Sequence, residues 1–476
     1  MKIPLFPIAS LETAGLAYNP VMNSPHLLGS DFATTGIASL PPELLTEIFG
    51  LARPKLRVLH KLPFEVVLSH VSSSWRGFAL GTRMLWRRID IYSLRSLDRV
   101  SHYLQRSGTQ MSLDIHIDLY KEDRCISFGS QRKREIIVQL IANAVLPHVH
   151  RARTFSLFAC YEHTAIMLLS NFINSSSPDL KNLRMTFGHL STTTIRGPGV
   201  NVFNRGLPQL TFLETDLPNC LPPLAIQNLT TLHLHTLTDS LNLSYLSFVA
   251  MITAPPCLSH LSLQGSMDLA TSDWPSFSTY PGFVMNNLKS LRLQDGGMFA
   301  LRILLLMFAP NLESLWLDYS FNNFGHLFDA PYVTQPTRFP ALKYLTIPTY
   351  GFSHHNNFSK VFPTITHLHL PHANFFRDDR LADFLLRQWR HLHTLVIGMI
   401  RESQSSRFHG ALCHFLPYRR NAGYPIRKLL VDEDLFRMLK KERPDISGEV
   451  EIEILSLESY REPWWIMSHE RRMDDF

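Results

Sequence analysis

Cysteine is scarce in this sequence, and long uncharged apolar runs are missing. The 476 residues include five cysteines, and no two of them form a C-x-x-C pair, so neither a disulfide framework nor a cysteine zinc site is indicated. The longest apolar run, residues 300–309, contains Arg302 and is too short to span a bilayer. Pro4, Pro7 and Glu12 interrupt the apolar start of the chain before a signal-peptide core could form. These absences predict an intracellular protein, cytoplasmic or nuclear, without a membrane partner.

The familiar catalytic and nucleotide-binding motifs are also absent. The sequence contains no G-x-S-x-G, G-x-x-x-x-G-K-[ST], G-x-G-x-x-G or H-E-x-x-H. The formal net charge is +6, but the basic residues are scattered, and the densest group, at 131–135, opens an apolar helical stretch. A solvated helix end explains that group better than a nucleic-acid site. We therefore predict no enzyme, no catalytic residue and no cofactor, and we disfavour nucleic acid as a partner.

What the sequence does contain is enough apolar material for a large folded core. Hydrophobic residues make up 45% of the chain and charged residues 18%, which predicts a mostly folded protein of more than one domain. Residues 1–38 are rich in Pro, Gly, Ser and Thr and show no periodicity, so we expect a flexible tail. Residues 39–92 have a helical pattern, and residues 93–476 have a different, repetitive one.

The repetitive part carries the pattern apolar-x-x-apolar-x-apolar, in copies 19 to 34 residues apart from about residue 150 onward. The alternation within each copy indicates a strand with one buried face, and helical segments lie between several copies. Strand and helix repeated in this way predict a stacked parallel sheet with helices on its other side. Six inner leucines should then occupy equivalent positions in successive turns: Leu232, Leu261, Leu291, Leu315, Leu345 and Leu368.

This repeat resembles the leucine-rich repeat family in a degenerate form. The leucine pattern of the family is present, but the asparagine that usually follows it is replaced by residues such as Gly188, Gly296 and Ser320. The resemblance implies an irregular horseshoe, with the parallel sheet on the concave side and the helices on the convex side. The expected fold class is therefore α/β, with a small all-helical unit preceding the solenoid.

The helical unit begins with LPPELLTEIFGLA, residues 40–52. Ser39 can cap this helix, and prolines at 41 and 42 suit its first turn. Apolar residues form two adjacent stripes along it, one with Leu40, Leu44, Ile48 and Leu51 and the other with Leu45, Phe49 and Ala52. Such a wide apolar arc predicts surface kept for a partner. A second segment places Val67, Val71, Trp75 and Phe78 at helical spacing.

This unit resembles the F-box. The matching elements, in order, are Leu40-Pro41, Glu43-Leu44-Leu45, Ile48-Phe49, Val71, Trp75 and Leu85-Trp86. Ser72 stands where many members have cysteine, and the linker after residue 52 is longer than in the plainest members. The resemblance implies binding to the Skp adaptor and, through it, to a cullin-RING ubiquitin ligase, with a protein substrate held by the repeats. A non-degradative scaffold, whose F-box-like unit does not bind the adaptor, and an ordinary helical hairpin are the alternatives.

Candidate adaptor contacts follow from this match: Leu40, Pro41, Leu44, Ile48, Val71 and Trp75. Among them, we expect Leu40 and Pro41 to be contacts at an exposed helix start, whereas Trp75 suits the core of the unit better.

Candidate substrate contacts follow from strand alternation, which directs the residues beside the inner leucines to the concave face. The selected residues are Phe212, Glu214, His233, His235, His260, Arg292, Trp316, Asp318, Tyr344, His367 and His369. We centre the substrate site on Arg292, Trp316, Asp318, Tyr344, His367 and His369, because aromatic and charged groups dominate interface energetics. Trp316 should face solvent. The competing site is the proline-containing loop at 320–340.

Two histidine pairs, His233/His235 and His367/His369, have a spacing that could bind a metal ion. No acid or cysteine accompanies either pair at a fixed spacing in the sequence, and the chain has 23 histidines. We therefore predict no metal site.

Overall fold

The computed structural model of the protein describes most of the repeat region and the helices that precede it. The described residues are 40–53, 62–120, 131–189, 202–216, 226–235, 237, 244–265, 282–294, 297–318, 338–347, 362–371, 389–398, 412, 415–442, 448 and 450–455. The expected tail at 1–38 lies outside these ranges, as does most of the loop at 320–340.

In the part of the chain that the structure describes, 14 strands form one parallel sheet. Each strand pairs with the next sheet strand along the chain, and every pairing is parallel. The strands are β1 (Arg88–Ile91), β2 (Leu113–Asp118), β3 (Ala152–Tyr161), β4 (Asn182–His189), β5 (Phe212–Thr215), β6 (Thr231–Leu234), β7 (His260–Gln264), β9 (Ser290–Gln294), β11 (Ser314–Asp318), β12 (Tyr344–Thr346), β13 (His367–Leu370), β14 (Thr394–Ile397), β15 (Lys428–Val431) and β16 (Glu451–Ile454). Two short strands, β8 (Phe283–Val284) and β10 (Met307–Phe308), pair separately.

The inner leucines hold the register of this sheet. Leu232 pairs with Leu261, and the same column continues through Leu291, Leu315, Leu345 and Leu368. All six side chains are buried. The prediction of equivalent positions in adjacent turns is confirmed. Stacked side chains of one type exclude water along the whole column, and slipping a strand by one residue would turn its leucines out of the core.

Helices precede the sheet and lie between several of its strands. Among the described residues, the helices are α1 (Pro42–Ala52), α2 (Phe64–Ser69), α3 (Ser73–Gly81), α4 (Leu97–Ser107), α5 (Gln131–Val145), α6 (Glu162–Ser170), α7 (Tyr245–Thr253), α8 (Gly297–Leu306) and α9 (Glu433–Glu442). Their buried apolar residues join the sheet leucines in one core; for example, Phe248 of α7 contacts Phe299 of α8 with ring centroids 5.7 Å apart. This is a repeat solenoid-like fold, compatible with a leucine-rich-repeat arrangement. Within the described ranges, no helix has the length and apolarity needed to cross a membrane.

The N-terminal helices differ in two ways from the sequence expectation. Helix α1 begins at Pro42 after Pro41, without a side-chain cap, and Ser39 lies outside the described residues. The segment containing Val67, Val71 and Trp75 is two helices rather than one. The break occurs because the Ser72 side chain accepts a hydrogen bond from the Trp75 backbone N–H at 3.1 Å and caps α3 as a new helix.

Three strands of the sheet were not foreseen. Strands β1, β2 and β16 have the sequences RIDI, LDIHID and EIEI, which alternate but lack the leucine pattern. The sheet therefore includes residues 88–91, which fall within the 39–92 segment of the expected domain division. Sheet and N-terminal helices are consecutive in the chain without an intervening linker.

Candidate functional site

Helix α1 presents one apolar side to solvent and buries the other. Leu44, Ile48 and Leu51 are 47%, 37% and 88% exposed, and their spacing of four and three residues places them along one side of the helix. Leu45 and Phe49, one residue further on, are buried. The two apolar stripes predicted from the sequence are thus distinct: Leu45 and Phe49 of the second are buried, whereas Leu44, Ile48 and Leu51 of the first are exposed.

Other exposed apolar side chains follow in the same short segment: Leu62, Val67, Val71 and Leu80, between 40% and 62% exposed. With α1, the described residues between 44 and 80 hold seven large exposed apolar side chains, whereas the rest of the described chain holds ten. Exposed apolar residues scattered singly are normal, but a concentration of them marks an interaction surface. We call these seven residues the exposed apolar set.

The predicted adaptor contacts divide between this set and the core. Leu44, Ile48 and Val71 belong to the exposed set, and Pro41 is exposed beside them. Leu40 is partly buried against the core rather than free at an exposed start. Trp75 is also partly buried, and its ring lies 4.9 Å from that of Phe49, centroid to centroid.

Buried polar and aromatic contacts attach the N-terminal helices to the sheet. The Tyr103 hydroxyl of α4 donates a hydrogen bond of 2.5 Å to Oε1 of Glu65 in α2, and Arg53 lies 3.6 Å from the other carboxylate oxygen. Glu65 is fully buried. The Tyr103 ring also contacts Trp86, 5.1 Å between centroids. Because α4 packs on β1, these contacts hold the exposed apolar set in a fixed position relative to the first strand.

The side of the sheet opposite the leucine column carries polar residues in register, and we call it the polar face. Two columns form it, because the residues on either side of each inner leucine point the same way. The column on the C-terminal side runs, from β4 to β13, through Arg184, Glu214, His233, Ser262, Arg292, Trp316, Thr346 and His369. Neighbouring strands lie about 4.8 Å apart, so these side chains touch one another.

That crowding corrects the expectation of free exposure for the substrate candidates. Arg292 and His369 are 6% and 3% exposed. Trp316 is partly buried, because the Arg292 guanidinium carbon lies 3.3 Å from its ring centroid. Arg292 also donates a hydrogen bond of 2.9 Å to Gln294 Oε1. Trp316, which was predicted to face solvent, is therefore covered by the neighbouring Arg292 guanidinium. The stacked pair forms a flat surface with a fixed position.

Tyr344 and His367 lie in the other column of the polar face and are more open. Tyr344 is 38% exposed, and its ring lies 4.4 Å from that of His367. Burial, with the neighbouring His393 and Lys343, lowers the pKa of His367 to about 4, so this ring is neutral at physiological pH. Asp318 is in register with Gln294 at the end of β11. The sheet thus brings the six substrate candidates onto β9, β11, β12 and β13, which are successive strands.

A cluster on β5 and β6 was missed by the sequence interpretation. Oε1 of Glu214 lies 3.1 Å from Nε2 of His235, and one possible ligand atom from each of Glu214, His233 and His235 lies within 4.8 Å of the others. Burial lowers the pKa of His233 to about 3. Burial also acts to lower the pKa of His235, but the hydrogen bond and charge of Glu214 raise it above its usual value.

The sequence shows no acidic residue at a fixed spacing from His233 and His235, but the neighbouring strand β5 supplies Glu214. Aligning the leucine patterns of β5 and β6 places Glu214 opposite His233, and this alignment is the signal that could have revealed the cluster.

Comparisons with known proteins name no family for this chain. No family model matches it, and no curated protein is similar to it in sequence. Among solved structures, a structural-genomics protein from Bacteroides fragilis is similar to 66% of this chain over 68% of its own, with 15% identity and a TM-score of 0.26. At that level, the similarity bears on neither fold nor function.

Proposed function

We propose that the protein is a substrate-recognition subunit of a Skp–cullin–F-box ubiquitin ligase, acting in the cytoplasm or nucleus. The exposed apolar set of residues 44–80 binds the adaptor, and the polar face of the sheet binds a protein substrate. The observation that carries the proposal is the concentration of exposed apolar side chains on helices whose sequence resembles the F-box. The mechanism is proximity: the chain raises the effective concentration of a substrate lysine near the charged ubiquitin-conjugating enzyme.

The attachment of the helices to the sheet supports this mechanism. A recognition subunit must hold its substrate at a reproducible distance from the adaptor, because effective concentration falls when the connection is long and flexible. Here, Glu65, Tyr103 and Trp86 form buried contacts between the helices and the first turn of the solenoid. These contacts favour a rigid spacer between the two proposed binding surfaces.

The adaptor surface is tested in the full chain with Leu44→Ala and Ile48→Ala together. Fully burying a leucine or isoleucine contributes about 1.5–3 kcal/mol. Because an adaptor can cover only the exposed 47% and 37% of these two side chains, losing both should weaken binding by about 1–2.5 kcal/mol, or roughly ten- to seventyfold. The melting temperature should change little, because both side chains are exposed in the free protein. Binding is measured by calorimetry with the purified adaptor.

The matched control is Leu246→Ala on α7, which is 71% exposed but far along the sequence from the N-terminal helices. It should bind the adaptor like the wild type. If the wild-type chain does not bind the adaptor at all, the proposal fails, and a scaffold with an inactive F-box-like unit becomes the better description. The test uses the full chain because a fragment ending at residue 95 lacks Tyr103, the hydrogen-bond donor to Glu65.

The substrate surface is centred on Arg292, Trp316, Asp318, Tyr344, His367 and His369. The stack of Arg292 on Trp316 and the exposed Tyr344 supply the rigid aromatic groups that anchor protein interfaces. Trp316→Ala with Tyr344→Ala should reduce substrate recruitment and leave adaptor binding unchanged, as measured by proximity labelling with ligase activity blocked. An unchanged set of labelled proteins would exclude this face, and deletion within 320–340 would test the competing loop.

A further inference from the structure

Glu214, His233 and His235 form a mixed carboxylate–imidazole cluster on the polar face, and only strand β7 separates His233 from the proposed substrate residue Arg292. Glu214 and His233 are directly paired on β5 and β6, and His235 follows two residues later on the same side. The His235 backbone N–H donates to Thr215 O at 3.0 Å, so the backbone fixes the position of this residue beyond the end of β6. The three side chains therefore meet because of strand register, not because of a mobile loop.

Neighbouring side chains orient the ligand atoms. Nδ1 of His235 lies 2.8 Å from Oε1 of Gln264 on β7, and this hydrogen bond directs Nε2 toward Glu214. Oε2 of Glu214 faces Arg184 on β4 at 3.5 Å, which leaves Oε1 toward His235. A second residue that orients a ligating histidine or carboxylate is characteristic of metal sites in proteins.

The cluster is sheltered but not sealed. Glu214 and His233 are 3% and 4% exposed, and the Phe212 ring packs against His233 with centroids 5.2 Å apart. His235 is partly exposed, with 21% of its side-chain surface open to solvent. An ion could therefore enter past His235 and be held by two groups whose positions are fixed by packing.

We propose that Glu214, His233 and His235 bind a divalent transition-metal ion, with Zn²⁺ as the expected metal. Two imidazole nitrogens and one carboxylate oxygen form a donor set that zinc accepts, with a fourth position left for water or a partner's side chain. Calcium and magnesium prefer oxygen ligands throughout. Ligands at about 2.1 Å from zinc in a tetrahedron lie about 3.4 Å apart, so small side-chain rotations close the present arrangement around the ion.

The chain contains its own control for this proposal. His367 and His369 on β13 have the same spacing, but their register partners on β12 and β14 are Tyr344, Thr346, Thr394 and Val396, none of which is acidic. Glu214, supplied by the neighbouring strand, is what distinguishes the first pair from the second. If histidine spacing alone were sufficient for binding, both pairs would bind zinc equally.

The test uses the full chain and Zn²⁺ alone, in calorimetric titration against a competing chelator, with Co²⁺ absorption to report the geometry. The wild type should bind one ion tightly and give a tetrahedral cobalt spectrum. His235→Ala should lose that site. Gln264→Leu should weaken zinc binding about 10–100-fold, because Gln264 orients the ligand His235 without binding the ion itself. His367→Ala with His369→Ala should retain it.

Thermal unfolding gives a second readout, because an ion that binds the folded state raises the melting temperature. Zinc should raise the melting temperature of the wild type and of the His367/His369 variant, but not that of His235→Ala. The proposal is overturned if His235→Ala keeps the tight site, or if the wild type shows only weak binding shared among several histidines. It is also overturned if the His367/His369 variant loses the site. Adaptor binding is a separate measurement, so either proposal can fail without the other.

Discussion

Replacing Tyr103 by phenylalanine removes one hydroxyl from the contact between the N-terminal helices and the sheet. In the wild type, that hydroxyl donates a hydrogen bond of 2.5 Å to Glu65, which is fully buried. Phenylalanine keeps the ring that packs on Trp86, so the substitution isolates the hydrogen bond. Hydrogen bonds to charged groups contribute about 1.5–3 kcal/mol, and we expect a loss of about 2 kcal/mol in the free energy of opening this unit.

Backbone hydrogen exchange of α2 and α4 measures this loss locally, which avoids assuming that a chain of 476 residues unfolds in one step. A loss of about 2 kcal/mol corresponds to exchange about thirtyfold faster in both helices. Strands β12 to β15 should exchange as in the wild type. Tyr418→Phe, at a tyrosine that is 52% exposed, should change nothing.

A double-mutant cycle decides whether Glu65 is the cause. Glu65→Ala should be more damaging than Tyr103→Phe, because it removes both the acceptor of the Tyr103 hydroxyl and the carboxylate oxygen that lies 3.6 Å from Arg53. In the Glu65→Ala background, Tyr103→Phe should have almost no further effect on exchange. If it accelerates exchange as much there as in the wild type, the hydrogen bond is not what joins the helices to the sheet.

Two further predictions concern a histidine of the sheet and a pair of glycines. Burial lowers the pKa of His116 to about 4. As the pH drops from about 6.5 to 4, His116 is therefore protonated in the unfolded chain but not in the folded protein, and the stability of the fold decreases. Between pH 7 and pH 5 the wild type should lose about 2 kcal/mol more stability than His116→Gln. Hydrogen exchange of β1 to β3, corrected for the intrinsic effect of pH, measures both losses, and equal losses would contradict this prediction. Gly265→Ala should destabilise the fold, because φ is +141° and a Cβ would lie 2.3 Å from Leu237 O. Gly77→Ala, inside α3 with open space around it, should instead stabilise the protein by about 0.5–1 kcal/mol. The melting temperature should fall for Gly265→Ala and rise for Gly77→Ala, and shifts in the same direction would refute this prediction.

The stacking of the repeats was determined by the sequence itself. Leucines at i, i+3 and i+5 recur often enough that each copy has only one way to bury its apolar side, and copies of similar length can align only in parallel and in register. The copies that contain the six inner leucines became successive strands of the sheet. The wide apolar arc of residues 40–52 was likewise visible, since helical periodicity is a local property.

Which side of that arc stays exposed was decided only by tertiary packing. Leu45 and Phe49 are buried because Trp75, Phe78 and Phe64 contact Phe49, and these contacts depend on the helix break that Ser72 creates. Strands β1, β2 and β16 join the sheet although they lack the leucine pattern, since unpaired strand edges next to an existing parallel sheet gain hydrogen bonds by adding to it.

The polar face depends on the same lateral contacts. Arg292 lies over Trp316, and His235 contacts both Glu214 and Gln264, because adjacent strands lie about 4.8 Å apart. Along the chain, Glu214 and His235 are 21 residues apart, and His235 and Gln264 are 29 residues apart. The sequence fixes which residues point to this face through alternation within a strand, a local property. Which of them touch is set by strand order and register, and these are properties of the assembled sheet alone.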